Sequence, residues 1–301
     1  MTSPLVSVVI ATYNSGHYLS QAIESVLQQT VNDLEVIVID DGSTDGTRNL
    51  VASIDDPRLR YVWQANAGQT VAKNHGARLA RGEFVAFCDG DDFWYENKLE
   101  LQLPLFSKSP SVAVVYSPAD TIDEHGHPLG DTLFTPHRGT VTHALFMRNF
   151  VPFGTAVVRR RCLEEVGGFD ESLRMGIDWD LWLRISVRHQ FDYVEQSTYA
   201  YRIWQGQMSK NWRGRYSSAF RIMNKFVDEH PNAIPSRLRR HAFADTFANR
   251  ARARQQEQRW AAIGDAMRAL VLHPTRSYIW KTLGRVVVDS VTANSSDSRT
   301  N

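Results

Sequence analysis

VSVVIATYNSG, residues 6–16, is a β-branched apolar run stopped by a polar turn that ends in glycine. Val6 to Ala11 is nearly continuous in its apolar character, which is how a strand covered on both faces reads. The period then changes. From His17 to Gln29 the apolar residues Tyr18, Leu19, Ala22, Ile23, Val26 and Leu27 recur every three to four positions, so they line one face of a helix that Asn14 or Ser15 is placed to cap. Leu34 to Ile39 repeats the strand and runs into Asp40-Asp-Gly-Ser-Thr-Asp-Gly46, with a helix from Thr47 to Ile54 behind it. Leu59 to Trp63 predicts a third strand, Thr70 to Ala80 a helix, and Glu83 to Cys88 a fourth strand entering Asp89-Gly-Asp-Asp92. Strands alternating with helices predict an α/β fold with a mostly parallel, Rossmann-like central sheet flanked by helices. Ligands of such sheets bind beyond the carboxyl ends of the strands, where loops 12–16, 40–46 and 89–92 lie.

The second half is less regular. Ala113 to Tyr116 and Gly154 to Arg159 read as strands, Asp178 to His189 as a helix, and Tyr193 to Trp204 as a strand with its exit loop. From about Arg215 the pattern is wholly helical, with Ala261 to Leu272 followed by His273-Pro274 as half of a helical hairpin, and 292–301 as a frayed tail. The chain has 301 residues, 43% apolar and 22% charged, which excludes global disorder. Its two cysteines, Cys88 and Cys162, exclude a disulfide framework and make a reduced, cytoplasmic setting the expectation. No leader or spanning pattern is read at Met1 or elsewhere, so any membrane contact is expected to be peripheral. A net charge of +1 gives no global field for nucleic acid, and no nucleic-acid partner is expected. Locally, residues 236–286 hold eleven Lys/Arg against three acids, Asp245, Glu257 and Asp265. That surplus is either a solvated helical face or a surface for anionic lipid headgroups.

Three carboxylates in Asp89-Gly90-Asp91-Asp92 repel one another unless water or a cation screens them. Hard oxygen ligands of this kind suit Mg²⁺ or Mn²⁺, which commonly borrow the remaining ligands from a diphosphate; a solvated acidic turn is the alternative. Loop 40–46 is an Asx-type turn into a helix, and it fails as an EF-hand because Ala52 stands at the twelfth position. After the first strand there is a single glycine, Gly16, so neither a dinucleotide fingerprint nor a phosphate loop is present.

Taken in order, VSVVIATYNSGHYLSQAIESVLQQT, VIVIDDGSTDGT, FVAFCDGDDFW and GIDWDLWLRI resemble the family 2 glycosyltransferases of GT-A fold, over residues 5 to 210. The resemblance implies a GT-A domain over 1–225, with a nucleotide-sugar half at 1–115 and an acceptor half at 116–225, and a basic helical region at 226–301. It implies that Ala11 and Tyr13 flank the nucleotide base, and that Asp41 bonds the uracil edge in uridine-diphosphate users. Gly68, Ala72, Lys73 and Asn74 resemble a segment near the donor in which Arg is more usual than Lys73; the charge is kept and the planar fork is lost. Asp89, Gly90 and Asp91 match the DxD motif, with Asp91 the direct metal ligand, and Asp178 matches the catalytic base. The partners implied are a nucleotide-sugar donor and a glycan or lipid-linked acceptor.

The chemistry fits these roles. A departing diphosphate builds negative charge that a divalent cation stabilises, and an acceptor hydroxyl needs a carboxylate to take its proton. One base opposite the leaving group gives a single displacement with inversion. Asp180 is the rival base, and helix capping is the alternative role for Asp178. Two positions depart from the pattern: Ile177 replaces a Glu, and Tyr201-Arg-Ile-Trp204 ends in Trp where a His often completes the metal site. An indole nitrogen cannot ligate a metal, so Arg202 or Lys210 is a candidate for neutralising phosphate, and Trp204 to Trp212 for a lid. Phe153, Gly154, Thr155 and Trp179 are candidates for the acceptor side. The departures leave a second class open, a sugar-nucleotide-binding module that has lost catalysis. A nucleotidyltransferase is disfavoured, because Thr12 to Gly16 lacks a glycine-rich basic loop.

Overall fold

The computed structural model describes residues 3–130, 134–207 and 210–297, with side chains described to 288. In chain order the strands are β1 Val6–Thr12, β2 Leu34–Asp40, β3 Leu59–Trp63, β4 Phe84–Phe87, β5 Phe93–Trp94, β6 Val112–Tyr116, β7 Asp120–Ile122, β8 Pro128–Gly130, β9 Val157–Arg159, β10 Gln190–Tyr193 and β11 Tyr199–Arg202. The helices are α1 Gly16–Leu27, α2 Thr47–Ala52, α3 Gln69–Leu79, α4 Lys98–Lys108, α5 Thr142–Met147, α6 Arg160–Glu165, α7 Ile177–Ser186, α8 Trp212–Glu229, α9 Ser236–Arg254, α10 Arg259–Leu272 and α11 Ser277–Asp297.

Seven strands form the central sheet in the order β10-β6-β9-β4-β1-β2-β3. The apolar run of β1 pairs in parallel with β2 on one side and β4 on the other. Both faces of β1 and β2 are buried, as their unbroken apolar character requires. The strand expected near Gly154 to Arg159 is β9, and it runs antiparallel between β4 and β6. A smaller sheet, β5-β11-β7-β8, begins just after the acidic loop. The strand expected between Tyr193 and Trp204, with its exit loop behind it, is β11 of the small sheet, and β10 of the large sheet ends where that span begins.

The chain divides into two compact units, Met1–Leu145 with Asn149–Gln207, and Phe146–Arg148 with Met208–Asn301. Residue 225 falls within α8, which packs on α9 in the second unit. That unit is an alanine-lined helical assembly: Ala244, Ala248 and Ala269 surround Ile279, and Ala251, Ala262 and Ala266 surround Val286. Small residues at the contact let helix backbones approach closely, and Asp265 at its centre is held by Arg250, Arg254 and Arg268. Burial pushes the Asp265 carboxyl up, but hydrogen bonds from Arg250 and Arg254 outweigh it and hold it below its usual value. The expected tail from 292 is helical to Asp297, and 298–301 lie outside the described residues. Among the described residues no helix is long and apolar enough to cross a membrane.

Candidate functional site

The carboxyl ends of β1 and β2 are tied together by their loops. Asn14, the one non-glycine residue with positive φ among those described (51°), donates its N–H to Ser43 Oγ at 3.0 Å and accepts from Thr44 N at 2.9 Å. Neither Asn14 nor Ser15 caps α1 through its side chain. Asp45 reaches across instead, accepting from Gly16 N at 3.3 Å while it also accepts from Thr47 N at the start of α2. One carboxylate thus serves the openings of two helices. Beside this rim, Tyr13 is 51% exposed and Ala11 half-buried, both free to flank a planar group.

Asp41 follows β2 at the same rim. It is 4% exposed, and its oxygens accept from Gln64 Nε2 at 2.7 Å, Ala67 N at 2.9 Å and Gly68 N at 2.8 Å. It therefore folds the 64–68 turn into a wall of the site. Gly68 has φ +93, which a side chain rarely adopts, and starts α3. That helix carries Lys73 inward. Lys73 is 5% exposed, with Nζ 2.8 Å from Asp89 Oδ1, 3.4 Å from Gln69 Oε1 and 4.1 Å from the centre of the Phe153 ring. The neighbouring Asn74 bonds Phe169 O, Phe169 N and Glu171 Oε1, which pins α3 to the loop ahead of α7.

The acidic loop carries its charges unequally. Asp92 is 2% exposed, accepts from Tyr199 OH at 2.5 Å and Arg202 N at 2.7 Å, and is pushed well above the usual carboxylate range by burial and by Asp91 and Asp89. Asp91 is also pushed up, first by burial and then by Asp89; a bond from Trp204 Nε1 at 2.8 Å and the charge of Lys73 pull the other way. Gly90 sits over Thr12, whose buried Oγ1 has no hydrogen-bond partner. Two ionisable carboxylates, one lysine and an orphaned hydroxyl leave an excess of negative charge and oxygen donors. That donor set fits a hard divalent cation at Asp91 and Asp89.

Asp178 lies in the first turn of α7. The cap position belongs to Gly176, in the left-handed region at φ +70. Asp178 Oδ2 accepts from Asn149 Nδ2 at 2.7 Å. Burial raises its pKa, opposed by that bond and by the charge of Lys73. The rival Asp180 is 3% exposed and paired with Arg184 at 2.7 Å, which itself holds Val166 O and Gly168 O. Asp180 is thus part of the packing under α7. Lys73 is the hub: it bonds Asp89 and exerts its charge on both Asp91 and Asp178. Asp89 of β4's loop is thus bonded to the ammonium whose charge also reaches Asp178 on α7.

Several expected site residues prove to be supports. Arg202 is 3% exposed, and its guanidinium bonds Asp91 O, Asp123 O, Glu124 O and Gln21 Oε1 while lying 4.4 Å from the Tyr18 ring centre. It braces the acidic loop, with each of its three guanidinium nitrogens engaged. Thr155 is fully buried, with its carbonyl taken by Lys98 and Gln102. Gly154 is buried against Tyr199, whose ring atoms would stand 2.1 Å from a Cβ there. Both serve the packing just ahead of β9. Phe153 keeps a partly exposed edge beside Lys73, and Trp179, half-buried, donates Nε1–H to Leu145 O. Trp204 is half-buried on Gly206 with its N–H on Asp91. Of the expected lid, 208 and 209 lie outside the described residues, and Lys210 is exposed in the second unit. The residues missed from sequence are Asn149, Gln64 and Tyr199, which act through contacts 23 to 107 positions away. Cys162, Glu165 and His189 also lie within 4.8 Å of one another, but Glu165 is engaged by His189 and Arg188 and Cys162 is buried.

The family profile described as "Glycosyl transferase family 2" matches residues 7–167. Chondroitin synthase of Escherichia coli is 36% identical over 200 residues, 65% of this chain and 28% of that protein. An uncharacterized glycosyltransferase of Rickettsia typhi is 32% identical over 187 residues, 60% of this chain and 58% of that protein. The chain thus matches less than two thirds of the length of either relative. Among solved structures, S. aureus TarS 1-349 superposes with a TM-score of 0.69 at 19% identity, covering 96% of this chain and 91% of that one. A mannosyltransferase from Pyrobaculum calidifontis, solved with GDP-Man and Mn²⁺, gives 0.58 at 19% identity over 99% and 88%. These are likenesses of fold, and the fold is GT-A.

Proposed function

The chain belongs to glycosyl transferase family 2, and on that premise we propose that it is an inverting glycosyltransferase, moving a sugar from a nucleoside diphosphate donor to a glycan or lipid-linked acceptor. The observation that carries this is Lys73, with Asp89 bonded to it and both Asp91 and Asp178 within its field. The donor's base lies against Ala11, Tyr13 and the turn that Asp41 folds. A uridine donor is favoured, since the TarS fold has been solved with UDP-GlcNAc and with UDP. Asp91 with Asp89 would hold Mn²⁺ or Mg²⁺, which when bound neutralises the charge that develops on the leaving diphosphate. Lys73 adds a fixed positive charge at the same place.

Asp178 takes the proton of the acceptor hydroxyl as its oxygen attacks the anomeric carbon. A carboxyl raised by burial is a stronger base than an ordinary aspartate, and Asn149 fixes the oxygen it bonds. With Asp178 as a single base facing the side opposite the leaving group, the displacement inverts the anomeric centre. The basic helices of 226–301 hold the enzyme peripherally at an anionic, cytoplasmic membrane face.

One observation favours a second reading, a sugar-nucleotide-binding module without transfer: Trp204 N–H occupies an oxygen of Asp91. A thermal-shift panel of sugar nucleotides with and without Mn²⁺, followed by donor hydrolysis, separates the two. Stabilisation by one donor with turnover supports the enzyme. Stabilisation without turnover supports the module, and no stabilisation by any donor overturns both.

A further inference from the structure

The second unit carries an uncovered apolar surface that the transfer chemistry does not use. On α10, Trp260, Gly264, Met267 and Val271 recur at steps of four, three and four, so they share one face. Trp260 is 81% exposed, Val271 79% and Met267 47%, while Ala262, Ala266 and Ala269 on the opposite face are fully buried. On α11, Trp280, Gly284 and Val287 repeat the spacing with Val288 beside them, again opposite buried Ile279, Thr282 and Val286. A Cβ built on Gly264 or Gly284 meets nothing within 4 Å. The two helices pack on each other and on α9.

Charge identifies the occupant. Between 258 and 288 the charged residues that reach the surface are Arg259, Arg268, Arg276, Lys281 and Arg285. The single acid of that stretch, Asp265, is fully buried under three arginines. A second copy seated on this face would set cations against cations. A surface that is apolar below and anionic above matches it, with tryptophan rings at the polar boundary and cations among the headgroups.

We propose that the outer faces of α10 and α11 are a docking surface for an anionic lipid bilayer, with Trp260, Val271 and Trp280 entering the headgroup region. This sharpens the membrane placement proposed above and is independent of the catalytic roles of Asp91 and Asp178. The test uses the full chain with vesicles of phosphatidylglycerol and phosphatidylcholine, or of phosphatidylcholine alone. Expected are salt-sensitive co-sedimentation with the anionic vesicles and quenching of tryptophan emission by brominated lipid. Each cation removed is expected to lower partitioning about fivefold, so Lys281→Gln with Arg285→Gln should lower it about 25-fold. Trp260→Ser with Trp280→Ser should abolish the brominated-lipid quenching. These side chains are exposed, and unchanged melting temperatures would show that the variants fold. No sedimentation of wild type at low salt overturns the proposal, as does sedimentation that neither pair of substitutions weakens. A wild-type dimer that Trp260→Ser and Trp280→Ser dissolve also overturns it, in favour of a second copy. Donor-induced thermal stabilisation in the same preparations tests the transfer reading separately: its absence, with vesicle binding retained, overturns that reading alone.

Discussion

Glu35, at the amino end of the central sheet, and the carboxylates of the acidic loop and α7, on the opposite side, are compensated in opposite ways. At the amino end, Glu35 on β2 is 2% exposed and fully partnered. It accepts from Ser7 Oγ, from Arg81 through backbone and guanidinium, and from Arg60. Burial pushes its pKa up, but those bonds outweigh it and hold it below the usual value. On the opposite side, Asp91, Asp92 and Asp178 are all raised, by burial before anything else. One side spends its hydrogen bonds on compensating charge and gains cohesion. The other leaves charge under-compensated and keeps it available for a cation, a phosphate neighbour or a proton.

The largest effect expected from breaking this contrast is at the base. Asp178→Asn should lower transfer by about 10²- to 10⁴-fold, with donor affinity by calorimetry unchanged; near-native turnover would remove Asp178 from the mechanism. Next comes the amino end. Glu35→Gln should cost about 1–3 kcal/mol of stability, because the charge is lost and an NH2 donor replaces one of the two oxygens that Ser7 and the arginines bond. Turnover per folded molecule should stay as it was, and a loss of turnover at full folding would blur the division between the two sides. Asn149→Ala removes a bond that lowers the Asp178 pKa, so the acid limb of kcat/KM should move to higher pH. A limb that stays put would place the essential carboxyl elsewhere.

The smallest effect is on pH-dependent stability, and its sign differs between the two sides. Glu35, lowered in the fold, contributes stability that is present above its unfolded pKa and is lost as pH falls through the folded one. Asp91, raised, does the reverse: it is a burden at neutral pH that protonation relieves. Asp91→Asn should therefore raise the melting temperature slightly at neutral pH and leave it unchanged in acid. A fall at neutral pH would show Asp91 already compensated.

How much of this was legible in the sequence follows from the range of each contact. β1, β2 and α1 announce themselves because an apolar period is a local property, whereas Asp178 is singled out only by the resemblance of GIDWDLWLRI to the family's segment, its place at the start of an apolar helix pointing by itself to capping. β9 could be read as a strand, but not as the antiparallel insertion between β4 and β6, since its partners lie more than 40 residues away. Arg202 could not be assigned: an arginine near an acidic loop suggests phosphate, and only the fold shows its nitrogens consumed by residues 21, 91, 123 and 124. The bonds of Asp41 to the turn at 64–68 were out of reach for the same reason, since they join it to residues 26 and 27 positions away.

The phenol end of Tyr199 fills the space where a Cβ of residue 154 would stand and reaches Asp92 with its hydroxyl. Any side chain at 154 would evict that ring and with it one of the two bonds that keep Asp92 in place. In a genetic screen a missense change there would score as a lesion of the acidic loop, although the residue itself is a buried glycine with no side chain.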